Sequence, residues 1–236
     1  MQKERSYAEV YNDLDGEIVN VFKVLRDPVL SAQLIESCSL TPFSRDEFSE
    51  SYVNCDDPVE QARRTLFRAE AGFGSGGAVG MSTGFRSDSK RDYGLAAHIW
   101  SRYPEKIATF GERLRGVIIE NRPAVDVIKL NDGPDTLHFV DPPYVHDTRV
   151  MRSNSGVYRH EMTDDQHIEL LETLNAVEGA VVLSGYPSEL YEGMLKNWDR
   201  YSKSARISSG RGTGLREEVV WVNARCADEK PQREMF

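Results

Sequence analysis

A series of short apolar runs constrains this chain more than any other feature: Val117-Ile118-Ile119, Leu137-His138-Phe139-Val140 and Ala180-Val181-Val182-Leu183. Each is too short for a buried helix and reads as a buried strand, bounded by turn residues and rich in β-branched side chains. Tyr7-Ala8-Glu9-Val10-Tyr11 opens the series ahead of Asn12-Asp13, and Glu218-Val219-Val220-Trp221-Val222 closes it. Segments with helical spacing lie between. Ile18, Val21, Phe22 and Leu25 share one face before Asp27-Pro28 stops the pattern. Asp57-Pro58 is an N-cap followed by proline at the first helical position, and Val59, Ala62, Leu66 and Phe67 or Ala69 form the stripe that Gly72 ends. Leu95, Ile99 and Trp100, then Ile107, Phe110 and Leu114, predict one or two helices ending near Arg115. Thr163-Asp164-Asp165-Gln166 is a capping box for a helix through Ile168, Leu171 and Leu174, and Ser188 to Leu195 is a further helix. Strands alternating with helices predict an α/β fold whose sheet is mostly parallel at its centre.

One block interrupts that alternation. Residues 41–57 carry no sustained period and read as irregular, and Gly72 to Tyr93 is a long loop rich in Gly, Ser and charge. The expected organisation is a discontinuous core, residues 1–40 and 116–236, with residues 41–115 inserted as a helical and loop region. No run approaches the ~20 apolar residues that span a bilayer, and Met1-Gln2-Lys3-Glu4-Arg5 is too polar to begin a signal peptide. Cys38, Cys55 and Cys226 have neither metal-ligand spacing nor an even count, so a reducing cytoplasm is the expected setting. No histidine pattern predicts a metal. His138, inside a strand, reads as a core or sheet-face residue.

A net charge of −9 disfavours a nucleic-acid partner, because phosphate contacts need clustered Lys and Arg. The distribution is uneven, however. Arg200, Lys203, Arg206, Arg211 and Arg216 form one basic set, and Arg86, Lys90 and Arg91 form another after the glycine-rich stretch. Either set is equally well read as a solvated loop, so charge permits a DNA partner without implying one.

Asp141-Pro142-Pro143-Tyr144 directly follows the strand Leu137–Val140, and ligands of open α/β sheets bind outside the carboxyl ends of strands. These residue types suit one chemical problem. The exocyclic amine of adenine is a poor nucleophile, because its lone pair is delocalised into the ring. A carboxylate and a backbone carbonyl that accept its two N–H hydrogens hold it with a lone pair aimed at an electrophile. Asp141 offers the carboxylate and Pro142 the carbonyl, fixed by the locked φ angles of consecutive prolines. Tyr144 offers a face on which a base stacks. A bare Asp-Pro turn would carry none of this weight; the full tetrad after a buried strand does.

The tetrad matches the D-P-P-Y motif of amino-methyltransferases acting on DNA. Val10-Tyr11-Asn12-Asp13-Leu14-Asp15-Gly16-Glu17, Ala62-Arg63-Arg64-Thr65-Leu66-Phe67, Tyr158-Arg159-His160-Glu161-Met162-Thr163 and Val181-Val182-Leu183-Ser184-Gly185-Tyr186 extend the match in order. Over nearly its whole length the chain resembles the Dam-type DNA adenine-N6 methyltransferases, especially their phage and restriction-associated members. The resemblance implies a Rossmann-like sheet, S-adenosyl-L-methionine as methyl donor, duplex DNA as substrate and a monomer as the working unit. It implies that Asp13 accepts hydrogen bonds from the cofactor's ribose hydroxyls, the competing role being a helix N-cap that Asp15 could fill instead. Asn121, past the strand Val117–Glu120, falls where such enzymes contact the cofactor's adenine, and Asp141 borders the cofactor site. The inserted region is expected to read sequence, with Arg86, Lys90, Arg91 and the hairpin residue Arg211 as DNA contacts. His146, Tyr158 and His160 are expected in a loop closing over the flipped base or cofactor.

The family also places a strand, a glycine-rich F-x-G-x-G turn and a Gly-Gly-Lys segment ahead of the residues that open this sequence. Without them, the sheet is expected to have unpaired edges and exposed apolar faces, and these 236 residues alone to bind the cofactor weakly or not at all. Gly72-Phe73-Gly74-Ser75-Gly76-Gly77 fits G-x-G-x-x-G by letter but follows a helix rather than a strand, which excludes a dinucleotide cradle. Ser209-Gly210-Arg211-Gly212-Thr213-Gly214 likewise lacks a strand-to-helix setting and reads as a hairpin tip. Cytosine-N4 methylation uses nearly the same geometry, but Tyr144 rather than tryptophan favours adenine. Methylation of a protein amide goes with N-P-P-Y, which Asp141 argues against. A non-catalytic DNA-binding remnant of such an enzyme is the rival from another class.

Overall fold

The computed structural model describes residues 4–73, 83–87, 95–145, 159–209 and 212–228, which form a mixed α/β protein. Its contacts divide the chain into two compact units, Met1–Arg122 with Gly156–His160, and Pro123–Ser155 with Glu161–Phe236.

In the first unit, β1 (Glu9–Asn12) pairs in parallel with β2 (Val117–Glu120), in register from Glu9↔Val117 to Asn12↔Glu120. Asp15 caps α1 (Gly16–Arg26) by accepting from the Glu17 N–H. Asp27-Pro28 ends that helix as expected and also starts another. The Asp27 carboxylate accepts from the Val29 and Leu30 N–H groups at the head of α2 (Pro28–Leu40), a helix the periodicity did not reveal. The segment expected to be irregular contains α3 (Arg45–Glu50), started by Ser44 accepting from the Glu47 N–H and anchored by buried Phe48. Asp57 and Pro58 open α4 (Pro58–Ala71) as their residue types require. Two helices follow, α5 (Ala96–Ser101) and α6 (Tyr103–Leu114).

The core of this unit mixes segments that the sequence suggested were separate. Val21, Val24 and Leu25 of α1 pack with Leu34, Phe67, Trp100 and Ile107. Phe67 and Trp100 meet edge to face at 4.8 Å, and the Trp100 indole donates to the Thr41 carbonyl at 3.0 Å. Sharing one core, α1 and the helices of residues 41–115 belong to one compact unit, whose contact boundary falls after Arg122.

The second unit holds a four-stranded sheet in the order β3-β4-β6-β5. These strands are β3 (Leu137–Val140), β4 (Ala180–Gly185), β5 (Asp199–Ser209) and β6 (Gly212–Val222). β3 and β4 run parallel, and β6 pairs antiparallel with both β4 and β5. Helices α7 (Ala124–Asn131), α8 (Asp164–Ala176), α9 (Glu189–Met194) and α10 (Ala224–Asp228) complete it. The expected capping box at Thr163 and Gln166 is present. Val181, Leu183, Val219 and Trp221 meet Leu170, Leu171, Leu174 and Tyr191 in the core. Leu137 and Phe139 are 58% and 70% exposed, so β3 is covered on one face rather than both. Among the described residues, β1 pairs only with β2 and β3 only with β4.

The entry to β4 is fixed by Asp132, which accepts from the Glu178 and Gly179 N–H groups at 2.9 and 3.1 Å and pairs with buried His138 at 3.2 Å. A Cβ at Gly179 would lie 2.6 Å from the Thr136 carbonyl oxygen, itself held by the Ala180 N–H at 2.8 Å. Backbone cannot yield there without losing the strand entry. Gly179→Ala should therefore destabilise the protein by about 1–3 kcal/mol; an unchanged melting temperature would contradict this packing.

Candidate active site

In the second unit, Asp141 follows the last residue of β3 and so stands at the carboxyl end of a parallel strand. Its neighbour across the sheet is set by register. Val140 pairs with Leu183, which brings the next residue of β4, Ser184, beside Asp141. The Ser184 hydroxyl donates to Asp141 Oδ1 at 2.6 Å and also lies 3.3 Å from the Val140 carbonyl. Asp141 Oδ2 has no partner among the described residues, and the side chain is exposed. One carboxylate oxygen is thus tied down while the other remains available to accept a hydrogen bond. Pro142 is buried and Tyr144 half-buried. The Tyr144 ring meets Tyr186 edge to face at 4.4 Å, fixing the plane the tyrosine presents.

Asp13 lies in the first unit, one residue past β1. Its Oδ1 accepts from the Asp15 N–H at 2.9 Å and its Oδ2 lies 3.3 Å from the Tyr11 hydroxyl. No cation pairs with it among the described residues, and it is half-buried. Burial, then the charge of Asp13, push the Tyr11 phenol up to about 12, so it stays a donor. Asp15, not Asp13, caps α1. The capping role weighed for Asp13 therefore falls to Asp15, and Asp13 keeps acceptor capacity for hydroxyl donors. Asn12 bonds Arg122 through both its amide groups, at 2.9 and 3.1 Å, and Asn121 donates to the Asp13 carbonyl at 2.7 Å. The Asn121 amide thus braces the turn that carries Asp13.

Of the basic residues expected to meet DNA, Arg86 lies against Glu70, its Nη1 3.1 Å from the Glu70 carbonyl and 3.4 Å from Oε1. Lys90, Arg91 and Arg211 lie outside the described residues, as do His146, Tyr158, Gly210 and most of the glycine-rich stretch that begins at Gly72. His160 is exposed. Arg200 is held by Glu192 and Glu217 at 2.9 and 3.1 Å. The arginines of α4 turn inward: Arg63 joins Glu60 and Glu47, and Arg64 joins Glu60. Among the described residues, no group of three or more His, Cys, Asp or Glu is placed to hold a metal ion. No helix among them is long and apolar enough to cross a membrane.

Sequence reasoning did not single out Ser184, Tyr186 or Arg159. The first two became visible through strand register, which the sequence carries only once β3 and β4 are known to pair in parallel. Arg159 pairs with Asp15 and Glu17, far away in sequence.

A strand-end carboxylate oriented by a serine, a buried proline after it and a tyrosine packed edge to face on Tyr186 make a site suited to gripping a planar amine. The sequence profile of the D12 class N6 adenine-specific DNA methyltransferases matches residues 1–209, and the chain belongs to that family. No individual curated protein matches it.

Proposed function

We propose that this chain carries the target-amine site of an S-adenosyl-L-methionine-dependent DNA adenine-N6 methyltransferase. The observation that supports this best is Asp141 at the end of β3, with Oδ1 tied to Ser184 and Pro142 and Tyr144 beside it. Asp141 and the Pro142 carbonyl accept the two N–H hydrogens of the amine and leave its lone pair directed outward. Tyr144 stacks on the base, which must leave the duplex because a paired, stacked amine is out of reach. When bound, S-adenosyl-L-methionine supplies an electrophilic methyl group. Asp13 accepts from its ribose hydroxyls, in keeping with a half-buried carboxylate that has no cation partner among the described residues. Asn121 serves the cofactor by holding the Asp13 turn.

The parallel pair β3–β4, continued by the antiparallel β6 and β5, supports a Rossmann-like reading of the second unit's sheet. Residues 41–115 supply sequence recognition, with Arg86, Lys90 and Arg91 as DNA contacts and Arg211 as a backbone contact. The test is digestion of DNA from cells expressing the protein from its complete reading frame, using nucleases blocked by adenine methylation. Site-specific protection is expected; full cleavage at every adenine-containing site tested would contradict the assignment.

A further inference from the structure

Arg159 is separated in sequence from its partners by most of the chain, yet both belong to the first unit. Its guanidinium donates to Asp15 Oδ1 at 2.8 Å and pairs with Glu17 Oε1 at 2.7 Å. Asp15 Oδ1 also accepts from the Glu17 N–H at 2.9 Å, while the Asp15 N–H orients Asp13 Oδ1. A continuous set of hydrogen bonds therefore runs from Arg159 through Asp15 to the carboxylate of Asp13.

The charges make this set informative. Asp13, Asp15 and Glu17 crowd three carboxylates into one strand-to-helix turn, and Asp15 is buried with Oδ2 lacking a partner among the described residues. Like charges so close repel unless cations stand between them. Arg68 takes one side of Glu17, and Arg159 takes Asp15 together with the other side of Glu17. Burial alone would push the Glu17 carboxyl up, but hydrogen bonds from Arg68 and Arg159 outweigh it and hold the group below the ordinary carboxylate value. The Arg159 side chain is 36% exposed, and pairs this accessible add little to global stability. Its two-pronged grip on the turn bears on geometry instead.

We infer that Arg159 is a positioning residue for cofactor binding, which holds the Asp13 turn in the shape that meets the ribose hydroxyls by acting through Asp15. This rests on the ribose role proposed for Asp13. The experiment compares binding of S-adenosylhomocysteine with binding of its 2′,3′-dideoxy analogue by calorimetry, using the protein from its complete reading frame. Wild type should prefer the hydroxyl-bearing ligand. Arg159→Ala should bind it about tenfold more weakly while changing affinity for the dideoxy analogue less than about twofold, since only the lost hydroxyl contacts report the turn. Arg159→Lys should recover part of the loss. Equal weakening toward both ligands, or no weakening toward either, would overturn the positioning role. A wild-type protein indifferent to the hydroxyls would overturn the assignment of Asp13 beneath it, and this proposal with it.

Discussion

Asp141→Ala should remove adenine methylation from the DNA of expressing cells, with a fall in turnover on the order of 10³-fold. The side chain is exposed at a strand end, so its loss should leave the fold and the melting temperature nearly unchanged. What goes is the acceptor that fixes the amine. Ser184→Ala removes only the 2.6 Å bond orienting Asp141, and a smaller, roughly tenfold loss is expected because the carboxylate remains but is less well held. The two variants therefore form a graded pair. Protection that persists in Asp141→Ala, or a Ser184→Ala protein more impaired than Asp141→Ala, would contradict the roles given to them.

The largest effect on stability is expected at Arg68 of α4, 2% exposed in the core of the first unit. Its guanidinium donates to the Ser51 carbonyl at 2.6 Å, pairs with Glu17 and lies 5.3 Å from the centre of the Tyr52 ring. Arg68→Ala leaves a cavity, a buried carbonyl without its donor and a Glu17 charge short of a partner. The combined cost should be about 3–5 kcal/mol, a large share of a typical domain's stability. Urea denaturation measures it. Arg68→Met with Glu17→Leu should recover part of the loss, that of the cavity and the unpaired charge, while the Ser51 carbonyl stays without its donor. The same pair carries a pH signature. Glu17 has a depressed folded-state pKa, so its contribution is present above the ordinary carboxylate value of 4.5 and is lost as pH falls through the lower folded value. The wild type should lose stability in that acid window, and a Glu17→Gln variant should lose less there. An Arg68→Ala protein as stable as wild type would show that the pair is not a determinant of the helical core.

Local signals were legible where one residue type performs one backbone task. Asp57-Pro58, Thr163 with Gln166 and Ser188 start helices because caps need only neighbours in sequence. The helix at residues 28–40 was hidden because its apolar residues face several directions and its buried side chains are few, Leu34 and Cys38 among them. The helix at residues 45–50 was hidden by length: six residues cannot establish a period. Leu137 and Phe139 look buried in the sequence and are exposed in the fold, because an apolar run does not state how many faces of its strand are covered.

The candidate site divides the same way. Asp141 and Pro142 were legible because strand, acid and proline are contiguous. Ser184 was not, since its contact depends on the register of β3 against β4. Whether Asp13 or Asp15 caps the helix that follows was open in the sequence, and Asp15 takes the capping bond. Arg159 could not be read as a partner of Asp15 from any local pattern. Its contact joins residues that only the folded chain brings together.

The central claim is that Asp141, Pro142 and Tyr144 hold the exocyclic amine of adenine. The direct measurement is mass spectrometry of nucleosides from duplex DNA incubated with S-adenosyl-L-methionine carrying an isotopically labelled methyl group and the protein expressed from its complete reading frame. The account predicts label in N6-methyldeoxyadenosine, absent when Asp141→Ala replaces the wild type. Label in N4-methyldeoxycytidine, or no labelled nucleoside at all, would contradict it.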